Sequence, residues 1–339
     1  MLKKVLVLGA GGFIGGALVE KLMTLGNWVV GVDLHEHEYG VKPSEFIKGD
    51  LSNYPFVKEL FNTHAHSVSE IYQLAADMGG AGYIFSGDND IAVMINSSTI
   101  NLNVIRVVRE KMEETKSKGG LWIPKIFFSS SACIYPQENQ LSNDNPNCQE
   151  SSAYPANPDS EYGWEKLFSE RLFLAAKRNY GFDIRIGRFH NIYGPKCTWM
   201  GGKEKSPAAL CRKVAQAQPK GTIEIWGDGE QTRSFLYIED CLGAVLALME
   251  KDFDGPVNIG SEEMVTINEM AILISQIAGK ELDLIHSQGP LGVRGRNSHN
   301  KLFNTKVGYK YKYSLAQGLK DTYFWVENEF FKHRERSQK

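Results

Sequence analysis

The sequence predicts an α/β fold, a doubly wound parallel sheet followed by a smaller C-terminal unit, and three observations carry that expectation. Short runs of β-branched and aromatic residues alternate with helical periodicity through the first half of the chain. Those runs are apolar throughout, as strands covered by helices on both faces require. A glycine-rich turn, Gly9-Ala-Gly-Gly12-Phe-Ile-Gly15, joins the first run to the first helix.

Taken in order, Val5–Leu8 is the first strand, and Phe13, Ile14, Ala17, Leu18 and Leu22 mark one face of the helix after the turn. Trp28–Val32 is the second strand and ends on Asp33; Phe46–Ile47 is the third and leads to Asp50-Leu51. Ile71–Leu74, Ile126–Phe128 and Ile184–Ile186 continue the series, with a helix over Val104, Ile105 and Val108 between the first two. After Arg188 the alternation loosens into Gly/Pro-rich segments and short strands, including Ile223–Trp226 and Val257–Ile259. A capping box, Thr266-Ile-Asn-Glu269, opens one later helix, which Gly279 stops. The expected division is residues 1–189 for a dinucleotide-binding Rossmann domain and 190–330 for a substrate-binding domain, with the helix at 237–250 returning to the first. Beyond His333 the tail is expected to fray.

Composition narrows the function. A chain of 339 residues can bury two cores, and its net charge of −2 comes with no block of Lys or Arg. Nucleic acid and anionic membranes are therefore not expected partners. No unbroken apolar run approaches the roughly 18 residues of a membrane span, and Met1–Gly9 runs into a strand without a leader pattern, so a cytoplasmic enzyme is expected. The five cysteines are widely spaced with no CxxC pair; reduced thiols and no metal site are the expectation.

The glycine turn carries the cofactor reading. Gly9 permits the tight turn, Gly12 admits a pyrophosphate, Gly15 packs helix on strand, and Phe13 and Ile14 open the helix whose N-terminus faces the charge. Asp33 would accept both ribose hydroxyls and repel a 2′-phosphate, which favours NAD over NADP; capping a turn is its other reading. Asp50 and Leu51 would sit near the adenine, although a surface turn also accounts for Asp50.

Tyr162-Gly-Trp-Glu-Lys166 places a phenol and an ammonium on one helix face. An ammonium and a nicotinamide cation would lower the phenol's pKa, making Tyr162 a base towards an alcohol. Tyr54 and Lys58 share the spacing, but they follow the third strand, away from the expected ligand edge, and Tyr54 reads as packing. Just upstream of Tyr162, SSSACIYP (129–136) ends the fifth strand in three hydroxyls and a thiol, Cys133. A buried apolar residue is the ordinary reading of such a cysteine, and solvated charge that of Lys203 and Lys205. His190 reads as a hydrogen-bonding residue, and Cys148, Cys197, Cys211 and Cys241 as packing.

Gly9–Gly15, Asp33, Ser131 and Tyr162/Lys166 together resemble the extended short-chain dehydrogenase/reductases, the nucleotide-sugar epimerases and dehydratases. AADMGG (75–80), SSACIYP (130–136), RFHNIYGP (188–195), GGKEKSPAA (201–209), WGDGEQTRSF (226–235), VNIGSEEMV (257–265) and GVRGRNS (292–298) resemble the branch that inverts C3 and C5 of a GDP-hexose. The likeness extends over about residues 4–328, with departures at Gly87–Asp90 and Gln216–Thr222. It implies an NAD-dependent enzyme that oxidises C4 of GDP-D-mannose transiently and inverts C3 and C5, giving GDP-L-galactose, with GDP-L-gulose from C5 alone.

In that reading Ser131 bonds the 4-hydroxyl, Tyr162 and Lys166 serve the oxidation, and Cys133 and Lys205 are acid and base on opposite faces. Lys205 is expected in a loop just ahead of Ser206 as N-cap and Pro207 as N1. Gly79 and Gly80 would approach the hexose, and Asn191, Arg233 and either Arg294 or Arg296 the diphosphate; salt bridging is the ordinary reading of each arginine. A homodimer through helices of the first domain is implied. The alternatives are another nucleotide-sugar 4-epimerase, a 4,6-dehydratase, an epimerase of a modified manno-sugar, or a non-catalytic NAD-binding sensor.

Overall fold

In the computed structural model, which describes residues 2–289 and 292–337, the first half follows the alternating pattern. Strands β1 (Lys4–Leu8), β2 (Trp28–Asp33), β3 (Glu45–Lys48), β4 (Val68–Gln73), β5 (Lys125–Ser131) and β6 (Asp183–Phe189) are joined by helices. These are α1 (Phe13–Thr24), α2 (Tyr54–His64), the single turn α3 (Ala81–Ile84), α4 (Asp90–Ser117) and α5 (Glu161–Tyr180). The strands pair in parallel in the order β3-β2-β1-β4-β5-β6. Sequence order reverses between β1 and β4, and the loops at the carboxyl ends of the strands open a crevice there.

The pleat explains why the strands are apolar on both faces. Val5 and Val7 of β1 pack into one core, while Leu6 and Leu8 pack into another on the opposite side of the sheet, all essentially inaccessible. Burying each such side chain contributes about 1.5–3 kcal/mol. Local signals place the helix ends: Asn53 caps α2, and the Ser160 hydroxyl accepts from Gly163 N at 3.2 Å to open α5.

The second half holds β7 (Ile192–Tyr193), α6 (Ser206–Gln216), β8 (Thr222–Trp226), β9 (Thr232–Ser234), β10 (Leu236–Tyr237), α7 (Ile238–Met249) and β11 (Val257–Ile259). β12 (Met264–Thr266), α8 (Ile267–Ile277), β13 (Asp283–Ser287), β14 (Gly295–Arg296), α9 (Lys301–Lys306) and α10 (Leu315–Ser337) follow. β9 lies between β12 and β14, and β8 pairs with β13. The Thr266–Glu269 capping box forms as written.

Three features differ from the sequence reading. Val257–Ile259, grouped there with the C-terminal unit, pairs with β6 as the seventh strand of the central sheet. Helix α10 runs on through Ser337. Among the described residues, α4 has the length and hydropathy of a membrane span. No unbroken apolar run reveals it, because Asn96, Ser97, Ser98, Thr99 and Asn101 interrupt its apolar stretch. The helix packs on α2 and α5, burying Val93, Val104 and Val108.

Candidate active site

The cofactor end is built by close approach of backbone. A Cβ on Gly15 would lie 1.9 Å from Gly9 O, so only glycine lets α1 start this near the turn. Gly12 caps α1 without a side-chain partner, leaving the helix N-terminus open towards the cavity. Asp33 does cap a turn, accepting from Gly11 N at 2.9 Å and Leu34 N at 2.7 Å, and it also lines the cavity. The two readings of Asp33 are compatible, since a carboxylate has about four acceptor positions. Gly9, Gly12, Phe13, Ile14, Gly15, Asp50 and Leu51 line the same space, with Asp50 accepting from Ser52 N and Oγ. The open helix N-terminus, the acidic β2 terminus and the glycine cradle fit a dinucleotide such as NAD.

A second cavity adjoins the first, and the two share Ser131, Tyr162 and Lys205 in their walls. Lys166 belongs to the cofactor side alone; Cys133, Gly80, Asn191, Arg233 and Arg296 belong to the other side alone, while Gly79 lines both. The expected reacting side chains therefore divide between two chambers with Tyr162 at the partition. Tyr54 lies elsewhere: its hydroxyl donates to Glu110 and its ring stacks under Arg106 at 4.1 Å.

The electrostatics of Tyr162 differ from the sequence expectation. Lys166 Nζ sits 5.7 Å from the centre of the Tyr162 ring and donates to Ser129 O at 2.9 Å. Burial pushes the phenol up, Cys133 and Glu165 add to this, and a hydrogen bond with Ser131 works in the opposite direction. Burial also holds the Lys166 ammonium below its ordinary pKa, against Glu165 and Glu170. Lys205 is likewise lowered by burial, with Cys133 partly restoring it.

Lys205 itself is the cap residue of α6 and Ser206 the first helical residue, so the helix opens one position earlier than the expected Ser206 cap. The loop leading to it is stapled to the segment after β4. Gly80 N donates to Lys203 O at 3.0 Å, the Lys203 ammonium lies 4.0 Å from the Tyr83 ring centre, and Arg212 pairs with Glu204 at 2.8 Å. A Cβ on Gly80 would meet Glu204 O at 2.2 Å.

The three arginines have different fates. Arg233 lines the cavity and donates to Thr232 O and Val293 O; burial and the neighbouring Arg296 disfavour its charged form. Arg294 lies outside the cavity wall and pairs with Asp228 at 2.8 Å. Arg296 is buried in the wall, donating to Gln140 Oε1 at 2.6 Å, Asp159 Oδ2 at 2.7 Å and Cys133 Sγ at 3.1 Å. Asn191, in a left-handed conformation with φ 46°, donates to Ser234 O.

Sequence reasoning missed what supports these groups. Asn101 of α4 accepts from Gln73 Nε2 and donates to Glu165 and Ser169 of α5 beside Lys166, and Arg188 makes a two-pronged pair with buried Glu170, which also accepts from Ser130. The i,i+4 polar pair Glu165/Ser169 on a helix that must bury that face was the available signal. His190 hydrogen-bonds Asn258 at 3.0 Å as expected, and Cys148, Cys197, Cys211 and Cys241 are buried.

A family model described as the NAD dependent epimerase/dehydratase family matches residues 5–260. GDP-mannose 3,5-epimerase of Arabidopsis thaliana is 42% identical over 98% of this chain and 84% of its own length. GDP-mannose 3,5-epimerase 1 of Oryza sativa subsp. indica is 41% identical over 98% of this chain and 83% of its own. UDP-glucose 4-epimerase of Thermotoga maritima superposes with a TM-score of 0.82 at 24% identity, covering 96% of this chain and 99% of that one. UDP-glucuronic acid 4-epimerase of Bacillus cereus, solved with UDP-glucuronic acid and NAD, gives 0.78 at 24% identity over the same shares.

Proposed function

Because this chain belongs to the NAD dependent epimerase/dehydratase family, we infer that it is an NAD-dependent epimerase that inverts C3 and C5 of GDP-D-mannose through a 4-keto intermediate. The products are GDP-L-galactose and, from C5 alone, GDP-L-gulose. Relatives of that name match nearly the whole chain. The observation that carries the reading is the shared wall: Ser131, Tyr162 and Lys205 face both the glycine-lined cavity and the cavity holding Cys133 and Arg233.

From that wall the steps follow. Ser131 bonds the C4 hydroxyl and Tyr162 removes its proton, with Lys166 supplying positive charge behind the phenol. NAD held by the Gly9–Gly15 turn and Asp33 would supply the acceptor for the C4 hydride and the donor for its return. With C4 a ketone, the protons on C3 and C5 become acidic because the carbanion is delocalised as an enolate. Cys133 and Lys205 exchange them, one removing a proton while the other delivers one to the opposite face. The lowered Lys205 ammonium gives up its proton more readily than an exposed lysine would. Arg233 and Asn191 hold the diphosphate, and the Gly79–Gly80 backbone lies against the hexose. The segments of 190–330 outside the central sheet form the nucleotide-sugar side.

A homodimer in the cytoplasm completes the proposal. Ile91, Ile95 and Leu102 on α4 and Trp164 and Phe168 on α5 are exposed along adjacent helix faces, an apolar surface suited to a second copy. The catalytic test is incubation of the protein with GDP-mannose in deuterated water. Deuterium should appear at C3 and C5 and be absent from C4, without added reductant. Turnover that consumed NADPH, or inverted C4, would overturn the assignment.

A further inference from the structure

We propose that Asp77 is a positioning residue: its carboxylate, fixed by α4, latches the loop before α6 so that Lys205 is held in the wall shared by the two cavities. The inference rests on the epimerase reading for its substrate and adds to it a residue that touches neither cavity.

Asp77 follows β4 and belongs to neither cavity wall, while the next two residues, Met78 and Gly79, line both. Helix α4 holds it at two points. Asp77 N donates to the Oγ of buried Ser97 at 2.9 Å, and Asn96 Nδ2 donates to Asp77 Oδ2 at 3.0 Å. The other carboxylate oxygen, Oδ1, accepts from the Tyr83 hydroxyl of α3 at 2.9 Å. Burial, and then Asp77 itself, raise the pKa of that phenol, so Tyr83 stays a donor. The carboxylate is thus set in place by α3 and α4 together.

Lys203 meets it from across the gap between the two segments. Its ammonium pairs with Asp77 Oδ1 at 3.8 Å and lies 4.0 Å from the Tyr83 ring centre, while its carbonyl accepts from Gly80 N at 3.0 Å. The carboxylate and the ring face attract the same cation. Other ties of this loop run back to its own helix: Arg212 donates to Trp199 O at 3.1 Å and pairs with Glu204 at 2.8 Å. Just ahead of Lys203, Gly201 and Gly202 take φ values of 96° and 88°, and they have no side chains with which to brace the loop. Lys203 and Asp77 are 50% and 19% exposed, and an ion pair so placed is weak by itself. It adds little to the fold. It selects one position for a glycine-hinged loop, two residues from Lys205.

The test uses the NAD-loaded protein and reads the latch directly, as hydrogen–deuterium exchange of the Gly80 amide, which Lys203 O engages. Asp77→Asn keeps the size of the side chain and removes its charge. Lys203→Met removes the cation from a half-exposed position and should fold as wild type. Each should speed Gly80 exchange about tenfold and slow deuterium uptake at C3 and C5 of GDP-mannose by about as much, short of the roughly 10²-fold cost of a 1 Å misplacement. The double variant should lose no more than the worse single one, as two partners of one contact do. Lys203→Arg, which keeps the charge and can still stack on Tyr83, should behave nearly as wild type in both measurements. Unchanged Gly80 exchange in both folded single variants, additive losses in the double variant, or a loosened Gly80 with undiminished uptake would each overturn the proposal. If the variants loosen Gly80 while the wild-type protein itself puts no label into GDP-mannose, the epimerase reading falls and the latch stands.

Discussion

Replacing Gly80 by Ala adds one methyl group where two loops meet. That carbon would lie 2.2 Å from Glu204 O, a backbone atom, where contacts below 3.0 Å are essentially never seen. The segment after β4 and the loop before α6 must part by roughly 1 Å, and Lys205 is the residue next to Glu204. A displacement of that size at a reacting group costs on the order of 10²-fold in rate. Stability should change little, because the contact joins two surface loops and leaves both central cores intact. Gly82→Ala is the control two residues on: its nearest neighbour would be a Trp226 ring atom at an ordinary 3.8 Å. Steady-state kinetics with GDP-mannose, paired with thermal melts, separate the outcomes. The expected result is a loss of about 10²-fold in kcat/KM for Gly80→Ala, with an unchanged melt and near-normal Gly82→Ala. Normal turnover by Gly80→Ala, or equal losses in both variants, would refute the reasoning.

Two further predictions follow from the same geometry. Tyr162→Phe should abolish oxidation at C4 while nucleotide-sugar binding, measured by calorimetry, persists; Tyr54→Phe, which loses only its hydrogen bond to Glu110, should turn over as wild type. His190 is buried with its pKa lowered from 6.5 to about 3, chiefly by burial. The unfolded chain therefore binds this proton first as pH falls, and the stability it contributes is complete above pH 6.5 and lost progressively down to about pH 3. In that window it adds up to about 1.4 kcal/mol of destabilisation per pH unit, so melting temperatures of His190→Gln should fall less steeply between pH 6 and pH 4.5, on the order of 1–2 kcal/mol over the interval. Parallel slopes for the two proteins would disprove the assignment.

Where the chemistry depends on residues close in sequence, the sequence displayed it. Gly9–Gly15 and the Tyr162/Lys166 pair could be picked out because a turn and one helical turn are local geometry. Lys205 was placed one position off its cap because Ser206 has the stronger intrinsic preference for that position. The pairing of β11 with β6 was invisible, since a three-residue apolar strand suits any neighbour. Arg294 and Arg296 could not be separated by spacing. Asp159 and Gln140, which single out Arg296, come from segments that meet only in the folded chain.

The seventh strand also bears on how the polypeptide could be divided. The chain leaves the central sheet after β6, builds β7 to β10, returns through α7 to lay β11 against β6, and leaves again. A scission at residue 189, the natural cut by chain order, would strip β6 of its outer neighbour. The row of amides and carbonyls now engaged by Val257–Ile259 would become an open template for intermolecular strand addition. It would also remove α7 from its place against α1 and β5. The two halves are thus woven together by the stretch of backbone that closes the sheet.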